Sequence, residues 1–124
     1  MKAATSILFL LIILSSCIQK PDCSDLKTGL FKIETQNGKT ILVSRTETQS
    51  IESIPSSNMK MINTLEWTGD CTFTINYESG DKPSSPSANM PVDCEIIEVG
   101  EGYHIVRARI RGSEIEADYR MENQ

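Results

Sequence analysis

Apolar and polar residues alternate along most of this chain, and the alternation breaks at a few turn signals. Phe31-Lys32-Ile33-Glu34-Thr35 and Thr40-Ile41-Leu42-Val43 flank Gln36-Asn37-Gly38-Lys39. Asn-Gly between two β-prone runs predicts a hairpin, because both residues tolerate positive φ. A two-residue turn there pairs Ile33 with Leu42 and Phe31 with Ser44, leaving Lys32 and Glu34 on the other face. Gln49 to Ile54 alternates weakly and stops at Pro55, where Pro55-Ser56-Ser57-Asn58 predicts a loop. Met59, Met61, Asn63, Leu65 and Trp67 then share one parity, as do Cys71, Phe73, Ile75 and Tyr77. A three-residue Thr68-Gly69-Asp70 loop sets Trp67 against Cys71 and Leu65 against Phe73. A two-residue Gly69-Asp70 turn would split the apolar set, since a one-residue slip flips a whole face.

The last third carries the clearest pattern. Gly112-Ser113 suits a tight turn with glycine at its first central position. That register opposes Arg111 to Glu114, Arg109 to Glu116 and Arg107 to Asp118, and on the alternate face Ile110 to Ile115, Ala108 to Ala117 and Val106 to Tyr119. Upstream, a Gly100-Glu101-Gly102 loop sets Val99 against Tyr103, Ile96 against Val106, Cys94 against Ala108, Glu95 against Arg107 and Asp93 against Arg109. Two turns chosen independently sort charges to one face and apolar groups to the other, which predicts a three-stranded meander. Between the two halves, residues 78–91 hold three prolines, four serines and only Ala88 and Met90 as apolar residues. Such a stretch buries little surface and predicts a mobile loop without a helix.

About eight strands result, near 28–35, 40–46, 48–54, 59–67, 71–77, 91–99, 103–111 and 114–121. Consecutive antiparallel strands in that number predict an all-β, up-and-down meander closing into a small barrel that resembles lipocalins. A two-sheet β-sandwich fits the same pattern.

The N-terminus changes the picture. Ile7 to Leu14 is a continuous apolar run preceded by Lys2 and followed by Ser15-Ser16-Cys17. This is the layout of a secretory signal, and the run is too short to span a bilayer. Leu14-Ser15-Ser16-Cys17 resembles the lipobox of bacterial lipoproteins, in which the cysteine is lipidated and becomes the first mature residue. The expected organisation is a signal at 1–16, a lipidated tether at 17–26 and a single β domain at 27–124. Of 124 residues, 108 remain after cleavage, enough for one core. Losing Lys2 takes the formal net charge from −5 to −6. An acidic chain lacks the basic footprint that nucleic acid demands, and it is not drawn to anionic headgroups. Membrane contact is therefore expected through the lipid on Cys17.

Three cysteines follow: Cys23, Cys71 and Cys94. An exported compartment permits disulfides, and an odd count implies one bridge and one spare thiol. Cys94 shares the apolar parity of Val92 and Ile96, as a small buried hydrophobe would. Cys23–Cys71 and Cys71–Cys94 both remain possible bridges. No metal is expected, since no cysteine pair has close ligand spacing and His104 is the sole histidine. No cofactor is expected either. Gly100-Glu101-Gly102 lacks the further glycine and the following helix of a phosphate loop.

Arg107, Arg109 and Arg111 suggest an anion site, but the register already matches Arg107 with Glu95 and Asp118, and Arg109 with Asp93 and Glu116. Arg111 has only Glu114 and is the one expected to be free. His104 falls opposite Glu98 on the core-side parity, a pair able to do acid–base work. No nucleophile motif accompanies it, so a buried, hydrogen-bonded histidine is expected and no enzyme activity. Leu65, Trp67, Phe73, Ile75 and Tyr77 either line a ligand cavity or make up the core.

Cys23-x-x-Leu26-Lys27-Thr28-Gly29-x-Phe31, Arg45 with Gln49, and Glu66-Trp67-x-x-Asp70-Cys71-x-Phe73 together resemble small Bacteroidota lipoproteins of unknown function, some mislabelled as topoisomerase IV. The likeness covers about residues 1–77. It implies lipidation of Cys17, an outer-membrane address and pairing of Cys23 with Cys71. It implies no chemistry. Ile18-Gln19-Lys20-Pro21-Asp22 matches poorly the acidic signal that sends some relatives to the cell surface, so the membrane face stays open.

Three functions follow. The first is a non-enzymatic, lipid-anchored envelope lipoprotein that binds a partner protein or serves assembly. The second is a carrier of a small apolar ligand in the barrel interior. The third is a hydrolase built on His104 and Glu98.

Overall fold

The computed structural model describes residues 20–82 and 86–124, with 86 and 87 described by their backbone alone. The expected signal at 1–16 and the first three residues of the expected tether, Cys17 among them, lie outside the described residues. Eight strands follow in chain order: β1 (Gly29–Glu34), β2 (Thr40–Arg45), β3 (Gln49–Ile54), β4 (Met59–Trp67), β5 (Thr72–Gly80), β6 (Val92–Gly100), β7 (Tyr103–Ile110) and β8 (Glu116–Asn123). Each pairs antiparallel with the next, and β8 returns to β1 through Phe31↔Asn123 and Lys32↔Glu122, so the sheet is a closed up-and-down barrel. That seam excludes the sandwich. Closure joins the two outer strands, though over this short seam alone.

The first hairpin differs from the expected one by a single residue. Thr35 and Lys39 close a three-residue loop through the Thr35 amide and hydroxyl, and Gly38 adopts φ 76°. Ile33 therefore pairs with Ile41 and Phe31 with Val43. The slip turns Ile41, Val43 and Arg45 inward and leaves Leu42 38 % exposed. β4 and β5 are also offset, with Trp67↔Phe73 and Leu65↔Ile75 around a Gly69-Asp70-Cys71 loop. The offset is two residues, so the apolar parity survives.

The closing meander keeps the expected register over most of its length. Asp93↔Arg109, Cys94↔Ala108, Glu95↔Arg107 and Ile96↔Val106 all form, as do Arg107↔Asp118, Ala108↔Ala117 and Val106↔Tyr119. At the β6–β7 turn, Gly100 rather than Val99 meets Tyr103, and an irregularity between Ile96 and Glu98 restores the register beyond it. A bulge of this kind adds one residue to one strand and redirects the side chains on either side of it. At the β7–β8 turn Ser113 donates to the Ile110 carbonyl with Gly112 at φ 80°, and Arg111 donates its amide to Pro91 instead of pairing with Glu114. β5 runs to Gly80, further than its pattern suggested, and Pro86–Asn89 form one 3-10 turn in the stretch expected to be irregular.

The barrel is filled unevenly along its axis. At one end a 3-10 turn, Ser24–Leu26, plugs the opening, and Leu26 packs with Cys23, Phe31, Leu65, Phe73 and Ile96. Full burial of one such side chain contributes roughly 1.5–3 kcal/mol. Cys23 and Cys71 are bonded there across 48 residues of sequence, which excludes the Cys71–Cys94 alternative, and Cys94 is a buried free thiol. The β2–β3, β4–β5 and β6–β7 turns surround this packed end. The opposite end, at the β1–β2, β3–β4 and β7–β8 turns, is hollow.

Candidate functional site

Strand pairing determines what faces the hollow. Arg45 on β2 lies beside Ser50 on β3, and Ser50 beside Asn63 on β4, so three polar residues form one row across adjacent strands. One step toward the mouth, Val43, Glu52 and Met61 make the next row. β5 to β8 supply an apolar wall opposite, from Ile75, Val92, Ala108 and Ile110. Between the two walls is a cavity of about 320 Å³, with Ala88 and Met90 from the β5–β6 connection at its mouth. This size is at the small end of ligand pockets, which run from about 300 to 1,000 Å³ and are typically apolar with a few placed polar groups.

Of the five residues expected to line such a cavity, Phe73, Ile75 and Tyr77 do so. Leu65 is buried in the packed end instead. Trp67 stacks at a tilt on Phe73 with Lys27 over its ring, also in that end. Both belong to the core because they lie in the last residues of β4, at the end that the plug and the disulfide close. Trp67 Nε1 is buried without a hydrogen-bond partner among the described residues.

Arg45 sits at the floor of the cavity and is 4 % exposed. Its Nη1 donates to the Leu26 carbonyl at 2.8 Å and meets His104 Nε2 at 3.2 Å, while Nη2 meets the Met121 thioether at 3.2 Å. Phe31 and Phe73 present ring faces to the guanidinium at 4.7 and 5.1 Å. The ion pairs among the described residues join Lys32, Arg107, Arg111 and Arg120 to carboxylates on the barrel exterior, and none involves Arg45. Burial pulls the Arg45 pKa down to about 10, against a smaller opposing effect from Cys94. It remains a cation at neutral pH, desolvated and without an anion, the arrangement that costs most in a protein interior.

His104 is 0 % exposed and packs edge-on against Phe31 at 4.7 Å. Because arginine only donates, His104 Nε2 must accept and the ring proton lies on Nδ1. Burial first, and then the Arg45 charge, hold its pKa down to about 4. Glu98 is not its partner. The β6 bulge turns Glu98 outward, where it accepts from the Tyr103 hydroxyl at 2.9 Å. The acid–base pair expected from sequence is therefore not assembled. Cys94 also faces the cavity, and burial pushes its thiol up to about 12, so it is present as the unreactive thiol. Burial raises the pKa of Glu52, the one carboxylate facing the cavity among the described residues.

The arginines of β7 and of the turn just after it form a surface feature. Arg107 bonds Asp118 through Nε and Nη2, with Glu116 at 3.3 Å. Arg111, expected to be free, grips Asp93 through the same two nitrogens at 3.0 and 2.7 Å. Arg109, expected to match Asp93 and Glu116, instead has the Ser113 carbonyl at 3.4 Å from its Nε. No group of three His, Cys, Asp or Glu able to hold a metal occurs among the described residues.

No protein-family model, curated protein or solved structure matches this chain. The site must be read from its own geometry. Sequence reasoning missed Arg45, Ser50 and Glu52 as interior groups, and it put Asn63 on the apolar parity of β4 without giving it a role. The available signal was β3 itself, where Ser50 and Glu52 occupy the parity that β2 and β4 fill with Val43, Met61 and Leu65.

Proposed function

We propose that this chain is a non-enzymatic carrier of a small, largely apolar ligand, held in the barrel interior and tied to the bacterial outer membrane through a lipid on Cys17. The half-empty barrel carries the reading. Its interior is packed at one end and hollow over about 320 Å³ at the other, with an apolar wall facing a short polar row. A purely structural barrel of eight strands has an interior that side chains suffice to fill. The hollow is what favours the carrier over the protein-binding or assembly module expected first from the sequence.

The address rests on the lipobox-like ending at Cys17 and on the resemblance to Bacteroidota lipoproteins. The described chain enters the barrel at its packed end, through Cys23 and Leu26. An anchor at Cys17 therefore holds the barrel by its closed end and points the mouth away from the bilayer. Native mass spectrometry of the protein purified from its own envelope tests the carrier reading. A co-purifying small molecule, displaced when Ala108→Leu fills the cavity, is the expected result. A ligand-free spectrum, together with no uptake of added medium-chain alcohol, overturns it.

A further inference from the structure

The arginines of this protein offer an internal comparison. Arg107 and Arg111 each turn the Nε and Nη2 edge of the guanidinium to a carboxylate and hold it by two parallel bonds. This fork is the geometry that suits a carboxylate best. In Arg45 the same edge is nearly unused. Nε has no partner among the described residues, and Nη2 meets only the sulfur of Met121. A thioether is a weak acceptor on a flexible side chain. The opposite edge is firmly held by the Leu26 carbonyl and His104, so the guanidinium cannot turn away to find water.

We propose that the cavity takes a monocarboxylate amphiphile, whose carboxylate displaces the Met121 thioether and occupies the Nε/Nη2 fork of Arg45 while its tail lies along Ile75, Val92, Ala108 and Ile110 toward the mouth. The proposal rests on the carrier reading and adds the head group and its direction of entry. Ser50 and Asn63 stand in the row beside Arg45 and supply further hydrogen-bonding groups to the same oxygens. Length follows from volume. At about 320 Å³ the cavity is at the small end of ligand pockets, which suits a medium-chain rather than a long-chain tail. Long-chain acids leave their ends outside the mouth.

Six charged or titratable side chains of the described residues face or adjoin the site: Arg45, Glu52, Cys94, His104 and the phenols Tyr77 and Tyr119. Arg45 attracts an anion and Glu52 opposes one. Cys94 and His104 are neutral at pH 7. The choice between Arg45 and Glu52 as head-group site is therefore open to direct experiment. The folded protein is titrated with decanoate, 1-decanol and decylamine by calorimetry at pH 7.5. Decanoate should bind at least about tenfold tighter than decanol, as expected for charge-assisted bonds, and decylamine more weakly than either. With the methionine methyls labelled, decanoate should shift the Met121 signal and decanol should leave it nearly in place. Arg45→Met should lose about tenfold or more of decanoate affinity and keep decanol affinity within about threefold, which shows that the variant is folded.

Equal affinity for decanoate and decanol overturns the anion anchor and leaves the carrier standing. Tightest binding of decylamine also overturns it, assigning the head group to Glu52. Failure of all three ligands to bind removes both readings. The wild-type series decides the matter even if Arg45→Met does not fold.

Discussion

The two ends of this barrel are built from the same eight strands and differ in nearly everything else. The packed end has a 3-10 plug, a disulfide, Phe31, Leu65, Phe73 and Ile96 in contact, and a buried cation laced to a carbonyl and a histidine. The hollow end has aliphatic walls, a row of polar side chains and a connection carrying Met90 over the mouth. On the proposed carrier reading, stability and binding are thereby assigned to different halves of one closed sheet. A protein whose core supplies little surplus stability can leave a void only where the rest of the interior compensates. The disulfide and plug stand at the end opposite the void.

That division makes substitutions at the two ends behave differently. Ile96→Ala, in the packed end, should cost about 2–5 kcal/mol, as large-to-small changes in tight cores do. Ile75→Ala, on the cavity wall, removes a side chain that already borders space and should cost about 1–2 kcal/mol. Urea unfolding midpoints check both, and equal losses would abolish the distinction. Breaking the bridge with Cys23→Ser and Cys71→Ser together should cost about 2–4 kcal/mol, because the closed loop is long. Ligand affinity should change little, since the bond lies at the other end.

Acid titration probes the buried pair at the boundary. His104 has an ordinary pKa of 6.5 and is held down to about 4 in the folded chain. Between those values the unfolded chain binds more protons, so stability should fall as pH drops from 6.5 to 4 and then level off. The contribution is on the order of 3 kcal/mol. Glu52 acts in the opposite sense. Its raised folded pKa means that its contribution is favourable at low pH and is lost as pH rises through its titration. In a Glu52→Gln background the His104 slope should stand alone, and adding His104→Gln should flatten it. An unchanged slope would mean that the ring is not buried as the neutral form.

The smallest stability effect is expected where the functional effect is largest. Ala108→Leu places extra methyl groups in the hollow and should shift stability by less than about 1 kcal/mol, since it fills space rather than overpacking. Calorimetry with decanol should show binding abolished. A strong destabilisation would mean that the cavity is already full.

Much of this fold was legible from periodicity. The meander from β6 to β8 paired almost as its charges and apolar residues indicated, because each face carried one kind of residue. β2 was different. Ile41-Leu42-Val43 is apolar on both faces, so it has no parity to read, and the register fell to the turn. Asn37-Gly38 suggested a two-residue loop, whereas Thr35 closes a three-residue one. That single residue decides whether Arg45 points outward or into the core, and with it went the floor of the site. Ile96-Ile97 in β6 was a readable sign of trouble, since two adjacent isoleucines interrupt the alternation at the place where the strand bulges and expels Glu98. The apolar parity of Cys94 and the likeness to small lipoproteins both pointed to Cys23–Cys71, but pattern alone left Cys71–Cys94 open.

The central claim is that one half of the barrel takes a ligand and the other does not. An amide chemical-shift titration of the isotopically labelled protein with 1-decanol addresses it directly. The account predicts saturable shifts at Ile33, Ile75, Val92, Ala108 and Ile110, with Cys23, Leu26 and Leu65 unmoved. Shifts confined to exposed Leu30 and Ile115, or no saturable shift at all, would contradict it.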